Sequence, residues 1–147
     1  MNSMQITIRQ ATPSDLDGLA RLNAIFNDSE ETAERIAQRL ADPSRVEIPI
    51  IAEIENQLVG FAGLRIVPYL FYEGAHAELT ELFVEHSYRR KGIGKALVEY
   101  AERVAKERDA EELILHTGQD HRAGRDFYTA LGYQEWEIVM GKSLGKK

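Results

Sequence analysis

The sequence has 147 residues, 44% hydrophobic and 29% charged, with no cysteine and four prolines. That length suits one compact core, and without cysteine there is no disulfide, no Cys-ligated zinc or iron–sulfur site and no thiol nucleophile. A formal net charge of -6 argues against a duplex nucleic-acid binder, and no apolar run approaches the roughly 20 residues of a membrane span.

Alternation of Met4, Ile6 and Ile8 with polar neighbours predicts an opening strand. Thr12, Pro13 and Asp15 then mark a helix start, with Thr12 as N-cap, Pro13 at the first helical position and Asp15 closing a capping box. A second helix, capped by Ser29, carries Ile36, Ala37, Leu40 and Ala41 inward and stops near Pro43. Runs 46–55 and 57–67 read as strands joined by a tight turn at Glu55 and Asn56. An aromatic loop follows, with Tyr69, Phe71 and Tyr72, and then a third strand over 77–84. Gly92 opens the strongest helix, to about Arg108, with Ile93, Ala96, Leu97, Tyr100, Ala101, Val104 and Ala105 on one stripe. A strand over 113–117, a helix over 123–131 ended by Gly132, and a last strand over 133–140 complete the order. This is an α/β (mixed α+β) domain: a central, mostly antiparallel mixed sheet, helices on its faces, and one βαβ unit. Residues 1–147 read as a single domain, with 141–147 a loose basic tail.

Charge is not evenly spread. Asp28, Glu30, Glu31 and Glu34 form an acidic cluster, whereas Arg89, Arg90, Lys91 and Lys95 lie within seven residues of one another. The basic group falls where a strand meets a helix that starts with two glycines. Free N–H groups and the helix dipole make such a start an anion cradle, and glycine lets phosphate approach the backbone. Two nucleotide motifs fail on particular residues. A P-loop needs Ser or Thr where Ala96 stands and Gly where Arg89 stands, and a dinucleotide fingerprint needs Gly where Leu97 stands. His76, His86, His116 and His121 lack helical i,i+4 pairing, so no metal is expected.

The hexapeptide Arg89-Arg90-Lys91-Gly92-Ile93-Gly94 resembles the Gln/Arg-x-x-Gly-x-Gly/Ala signature of the GCN5-related N-acetyltransferases, the GNAT family. The stretch from His121 to Tyr133 resembles that family's Asn-x-x-Ala-x-x-Phe-Tyr-x-x-Leu-Gly-Phe pattern, with His121 where many members have Asn. The resemblance implies a GNAT fold with a splayed parallel strand pair at the cofactor site. It also implies acetyl-CoA as co-substrate and direct acetyl transfer to a primary amine of a small molecule or peptide. Alternatives are an acyl-CoA-binding sensor without turnover, another acyl group, or a hydroxyl acceptor. The protein is expected to be cytoplasmic, with no nucleic-acid or membrane partner, and analogy makes a homodimer through terminal strands reasonable.

By the same resemblance, backbone N–H groups from Arg90, Lys91, Gly92, Ile93, Gly94 and Lys95 bind pyrophosphate, and the side chains of Arg89, Arg90 and Lys91 help. Pantetheine pairs with the strand edge at Leu82, Phe83 and Val84, beside a family bulge, and His121 and Phe127 lie on the cofactor side. His121 serves either as a pantetheine contact or as a helix cap. Tyr128 matches the family's general acid, or is a core residue beside Phe127. Deprotonating the amine calls for a base. Glu81 is preferred and Glu78 second; a spacing of three puts them on opposite faces of a regular strand unless a bulge intervenes. Glu85 lies past the strand, on the surface. Tyr69, Phe71, Tyr72 and Trp136 are candidates to line the acceptor site, with the acidic linker 28–34 drawing in a cation.

Overall fold

A computed structural model describes residues 5–28 and 30–145. The chain divides after Leu115 into two compact units. In the first, five strands form one sheet in the order β1-β2-β3-β4-β5: β1 (Ile6–Gln10), β2 (Glu47–Ile54), β3 (Gln57–Pro68), β4 (Ala75–Val84) and β5 (Ala110–Leu115). The first three junctions are antiparallel and β4–β5 is parallel. The helices are α1 (Leu16–Asn27), α2 (Ala33–Ala41) and α3 (Ile93–Glu107), and in the second unit α4 (Arg122–Ala130).

Local chemistry sets most boundaries. Pro13–Asp15 forms a 3-10 turn ahead of α1, and the Asp15 carboxylate accepts the Thr12 N–H at 2.7 Å. Asp15 is buried and held on its other side by two Arg9 guanidinium bonds of 2.7 and 2.9 Å. This pairing, together with the Thr12 bond, keeps its carboxyl below the usual range. Ser29 lies outside the described residues; Thr32 is the N-cap of α2, accepting the Arg35 N–H at 3.2 Å. Glu34, expected in an acidic linker, belongs to the first turn of that helix. Glu55 and Asn56 both have positive φ, 50° and 64°, as a two-residue type I′ hairpin requires.

The sheet is covered on both sides. Leu19 and Leu22 of α1 meet Ile51, Leu58, Phe61 and Phe83 in one buried cluster. On the opposite face lies α3, whose Ile93, Leu97, Val98, Ala101 and Ala105 are buried. Each large aliphatic side chain so buried contributes about 1.5–3 kcal/mol.

Two features of β4 shape the site, and β3 carries a separate bulge against β2 at Val59. Against β3, Gly63 pairs with Glu81 and Leu64 with Leu79, so Thr80 is an extra residue, a β-bulge. Against β5, the ladder runs from Ala75–Ala110 to Leu79–Leu115 and goes no further. The second half of β4 therefore continues past its parallel neighbour.

The second unit departs from expectation. Helix α4 begins one residue earlier than the pattern predicts, but residues 133–140 form no strand. Trp136, Ile138, Val139 and Met140 are exposed there. Their alternation specifies a face, whereas a strand also needs a neighbour with which to share hydrogen bonds, and this unit contains no other strand among its described residues. Residues 141–145 are likewise irregular.

Candidate active site

Strand β4 carries the candidate site, because its two ends are adapted differently. At its C-terminal end a 3-10 turn (His86–Tyr88) leads to Arg90 at φ 62° and Gly92 at φ 81°. Both lie in the left-handed region, where glycine is unstrained and arginine is not. Gly92 is the N-cap of α3 and offers no side-chain cap. The first bond of the helix runs from the Ala96 N–H to the Gly92 carbonyl at 3.0 Å. The N–H groups of Ile93, Gly94 and Lys95 therefore have no partner within α3, at the positive end of a 15-residue helix. The basic side chains there are not equivalent. Arg89 is folded back, its Nε donating to the Val84 carbonyl at 3.0 Å and its guanidinium 5.8 Å from the Phe83 ring centroid. The Lys91 ammonium lies 5.5 Å from the Tyr88 ring centroid. Lys95 and Glu99 approach to 3.8 Å, both mostly exposed.

The middle of β4 is acidic. Because Thr80 is bulged out, the alternation of side chains skips one residue. Glu78 opposes Arg65, Glu81 opposes Gly63 and Phe83 opposes Phe61. Since Arg65, Gly63 and Phe61 share one face of β3, Glu78 and Glu81 share a face despite their spacing of three. It is the α1 face: Phe26 of α1 stacks on Phe83 at 5.1 Å and meets Phe61 edge-on at 5.8 Å.

The two carboxylates differ in their surroundings. Glu78 is buried and salt-bridged to Arg65. Glu81 is half-buried, and its carboxyl is raised above its ordinary value, first by desolvation and then by the nearby charge of Glu47. Glu85, expected at the surface, is tied to α1 by Arg21 at 2.9 Å. In the linker, Glu31 pairs with Arg39 of α2 at 3.0 Å, which reduces the charge available to draw in a cation. In the β3–β4 loop, Tyr69 and Tyr72 lie 4.6 Å apart, and Leu70, Phe71 and Tyr72 are well exposed.

The second unit holds the other motif residues. Tyr128 meets Phe127 and Tyr133 edge-on at 5.1 and 5.9 Å, and burial pushes its phenol up to about 12. His121 occupies the N-cap position of α4 but makes no side-chain capping bond. Its ring fills the space a Cβ at position 124 would need, so Gly124 accommodates it. The family pattern has Asn and Ala where this chain has His121 and Gly124, so the larger ring is paired with the loss of the methyl group it would meet.

Sequence reasoning missed Glu47, Thr80 and Arg65. The available signal was Gly63, since glycine inside a strand marks a bulge or a close approach. Among the described residues, no group of three or more His, Asp or Glu is arranged to hold a metal, and no helix is long and apolar enough to cross a membrane.

A mixed sheet whose fourth strand outruns its parallel neighbour and leads into a basic, uncapped helix start defines an α/β domain suited to an extended anionic ligand. The Acetyltransferase (GNAT) family model matches residues 14–133, and the chain belongs to that family. An aminoglycoside N(6')-acetyltransferase type 1 of Klebsiella aerogenes is 35% identical over 107 residues, 71% of this chain and 69% of that protein. An uncharacterized N-acetyltransferase of Methanocaldococcus jannaschii is 38% identical over 65 residues, which are 44% of this chain but only 29% of that protein's length. The aminoglycoside N-acetyltransferase AAC(6')-Iy, solved in complex with CoA, shares the fold with a TM-score of 0.83 over 97% of this chain and 96% of that one, at 20% identity.

Proposed function

We propose that the chain is an acetyl-CoA-dependent N-acetyltransferase that passes the acetyl group directly to a primary amine of a small molecule or peptide. The observation that carries this reading is the bulged, outrunning β4. It presents a strand edge without a β5 partner at Leu82, Phe83 and Val84, a carboxylate beside it, and a phosphate cradle at its end. Acetyl-CoA fits these groups. The N–H groups of Ile93, Gly94 and Lys95 bind its pyrophosphate, Arg90 and Lys91 supply counter-charge, and the strand edge pairs with the pantetheine amides. Arg89 has a different task, holding the Val84 carbonyl and thereby the end of the strand.

In the transfer, the amine nitrogen attacks the thioester carbonyl, the C–N bond forms and the C–S bond breaks. Glu81 receives the amine proton, directly or through water, and its raised carboxyl makes it a better base than an ordinary glutamate. Glu78 is assigned to holding Arg65. Tyr128 supplies a proton to the departing thiolate. This role rests on its position in the second motif, and its elevated phenol keeps the proton in place at physiological pH. The acidic α1 face and the aminoglycoside-modifying relative both favour a small polycationic acceptor. Thiol release from acetyl-CoA over a panel of kanamycin, spermidine and an alanine-initiated peptide tests the reading. Acceptor-dependent release that Glu81→Gln abolishes is expected. Saturable CoA binding with no release for any amine would replace it with a sensor.

A further inference from the structure

The bulge that turns Glu81 toward the α1 face sits beside a residue with no assigned task. Glu47, the first residue of β2, is register partner to Arg65, two positions from the Pro49–Gly63 pair. Its carboxylate crosses to Gly63 and accepts the Thr80 hydroxyl. A Cβ at position 63 would overlap both groups, so the missing side chain is what lets them meet. The opposing partner of Gly63 on β4 is Glu81. One glycine is thus flanked by the bulge hydroxyl, a pinned carboxylate and the proposed base.

We propose that Glu47 is a positioning residue for acetyl transfer: it pins the Thr80 bulge over Gly63 and holds a second negative charge beside Glu81. This rests on the reading of Glu81 as base. The arginines of α1 and of the neighbouring strands on this face are already committed. Arg65 of β3 is bound to Glu78 of β4, and on α1, which covers this face, Arg21 is bound to Glu85; Asp17 is the other charge on that helix. On β1, Arg9 is held by Asp15 and Glu53. Glu47 is the charge that raises the Glu81 carboxyl by Coulombic repulsion. Like charges held close disfavour joint ionisation, so the pin makes Glu81 more basic. Without the Thr80 bond the exposed Glu47 side chain would be free to swing away from Glu81, and solvent would screen its charge further.

The test is a carboxyl titration of the acetyl-CoA-free protein by 13C NMR, with glutamates labelled at Cδ and Glu81 assigned from the signal missing in Glu81→Gln. Glu47→Gln keeps an oxygen for the Thr80 hydroxyl and removes the charge; Thr80→Val keeps the charge and removes the pin. Both are expected to shift the Glu81 midpoint downward, with Glu47→Gln the larger, while the midpoint stays above that of an exposed glutamate because desolvation persists. An unmoved midpoint in folded Glu47→Gln overturns the proposal. The base reading is judged separately: if Glu81→Gln keeps full turnover on the amine panel, that reading fails, whatever the NMR midpoints show.

Discussion

The cradle at residues 90–95 and the acidic face around Glu81 are served by the same strand, yet they are built by opposite means. The cradle is made of backbone. Its donors are N–H groups that any sequence possesses, exposed by a glycine N-cap at φ 81° and an arginine at φ 62°, and its geometry is encoded within a few consecutive residues. The acidic face is made of side chains from three strands, brought together by register. Glu47, Gly63 and Glu81 are neighbours because one residue of β4 is skipped. Short-range construction resists change in distant parts of the chain, whereas register-built construction depends on every strand that sets it.

The largest effect should fall on the acidic face. Glu81→Gln is expected to lower turnover by about 10²–10⁴-fold, the range of a lost general base, and to leave acetyl-CoA affinity near wild type by calorimetry. The same substitution should raise Tm at pH 7–8. A carboxyl raised in the folded state contributes stability below its unfolded pKa and loses it as pH rises through the folded one, so neutralising it removes that loss. For the same reason the acid limb of the kcat profile should lie above the ordinary carboxylate range and disappear in the variant.

On the cradle, Gly94→Asp should weaken acetyl-CoA binding about 100-fold, or about 2.7 kcal/mol, in calorimetric titration. The fold should survive because an acidic residue in the first turn of α3 complements the helix dipole. Wild-type affinity should also fall with added salt. Equal damage to turnover and none to affinity would break the division between the two regions. Tyr128→Phe should lower kcat about 100-fold with both KM values little changed, and no basic limb from Tyr128 should appear below about pH 11, given a phenol near 12. The smallest effect is expected for Glu78→Gln: turnover within about threefold and a loss near 1 kcal/mol in denaturant titration, from the weakened Arg65 pair.

The same contrast explains what was legible in the sequence. The Thr12–Asp15 capping interaction, the Glu55–Asn56 hairpin, the α3 stripe and the cradle all depend on residues within a few turns of each other, and the residues announce them. The bulge does not announce itself. Thr80 is an unremarkable strand residue, and only its partners on β3 reveal that it is unpaired. Glu81 could be preferred over Glu78 from its place along the strand, but the reason for distinguishing them, an arginine on one and a carboxylate beside the other, is a cross-strand fact. Residues 133–140 show the converse: a clear alternation of apolar side chains without a neighbouring strand in their unit. Ser29 is a reasonable cap by type, but Thr32 makes the bond because it directly precedes the helix.

The skipped residue in β4 also bears on how this protein could be diversified. Deleting Thr80 would close the bulge and leave Leu79–Leu64 and Glu81–Gly63 in register, so Glu81 would keep its face and lose only the hydroxyl that Glu47 holds. A deletion at a regularly paired position such as Leu82, by contrast, would slip the strand by one residue and turn side chains to the opposite face. Libraries aimed at new acceptors should therefore vary the β3–β4 loop and the residues along α1 freely while keeping the length of β4 constant.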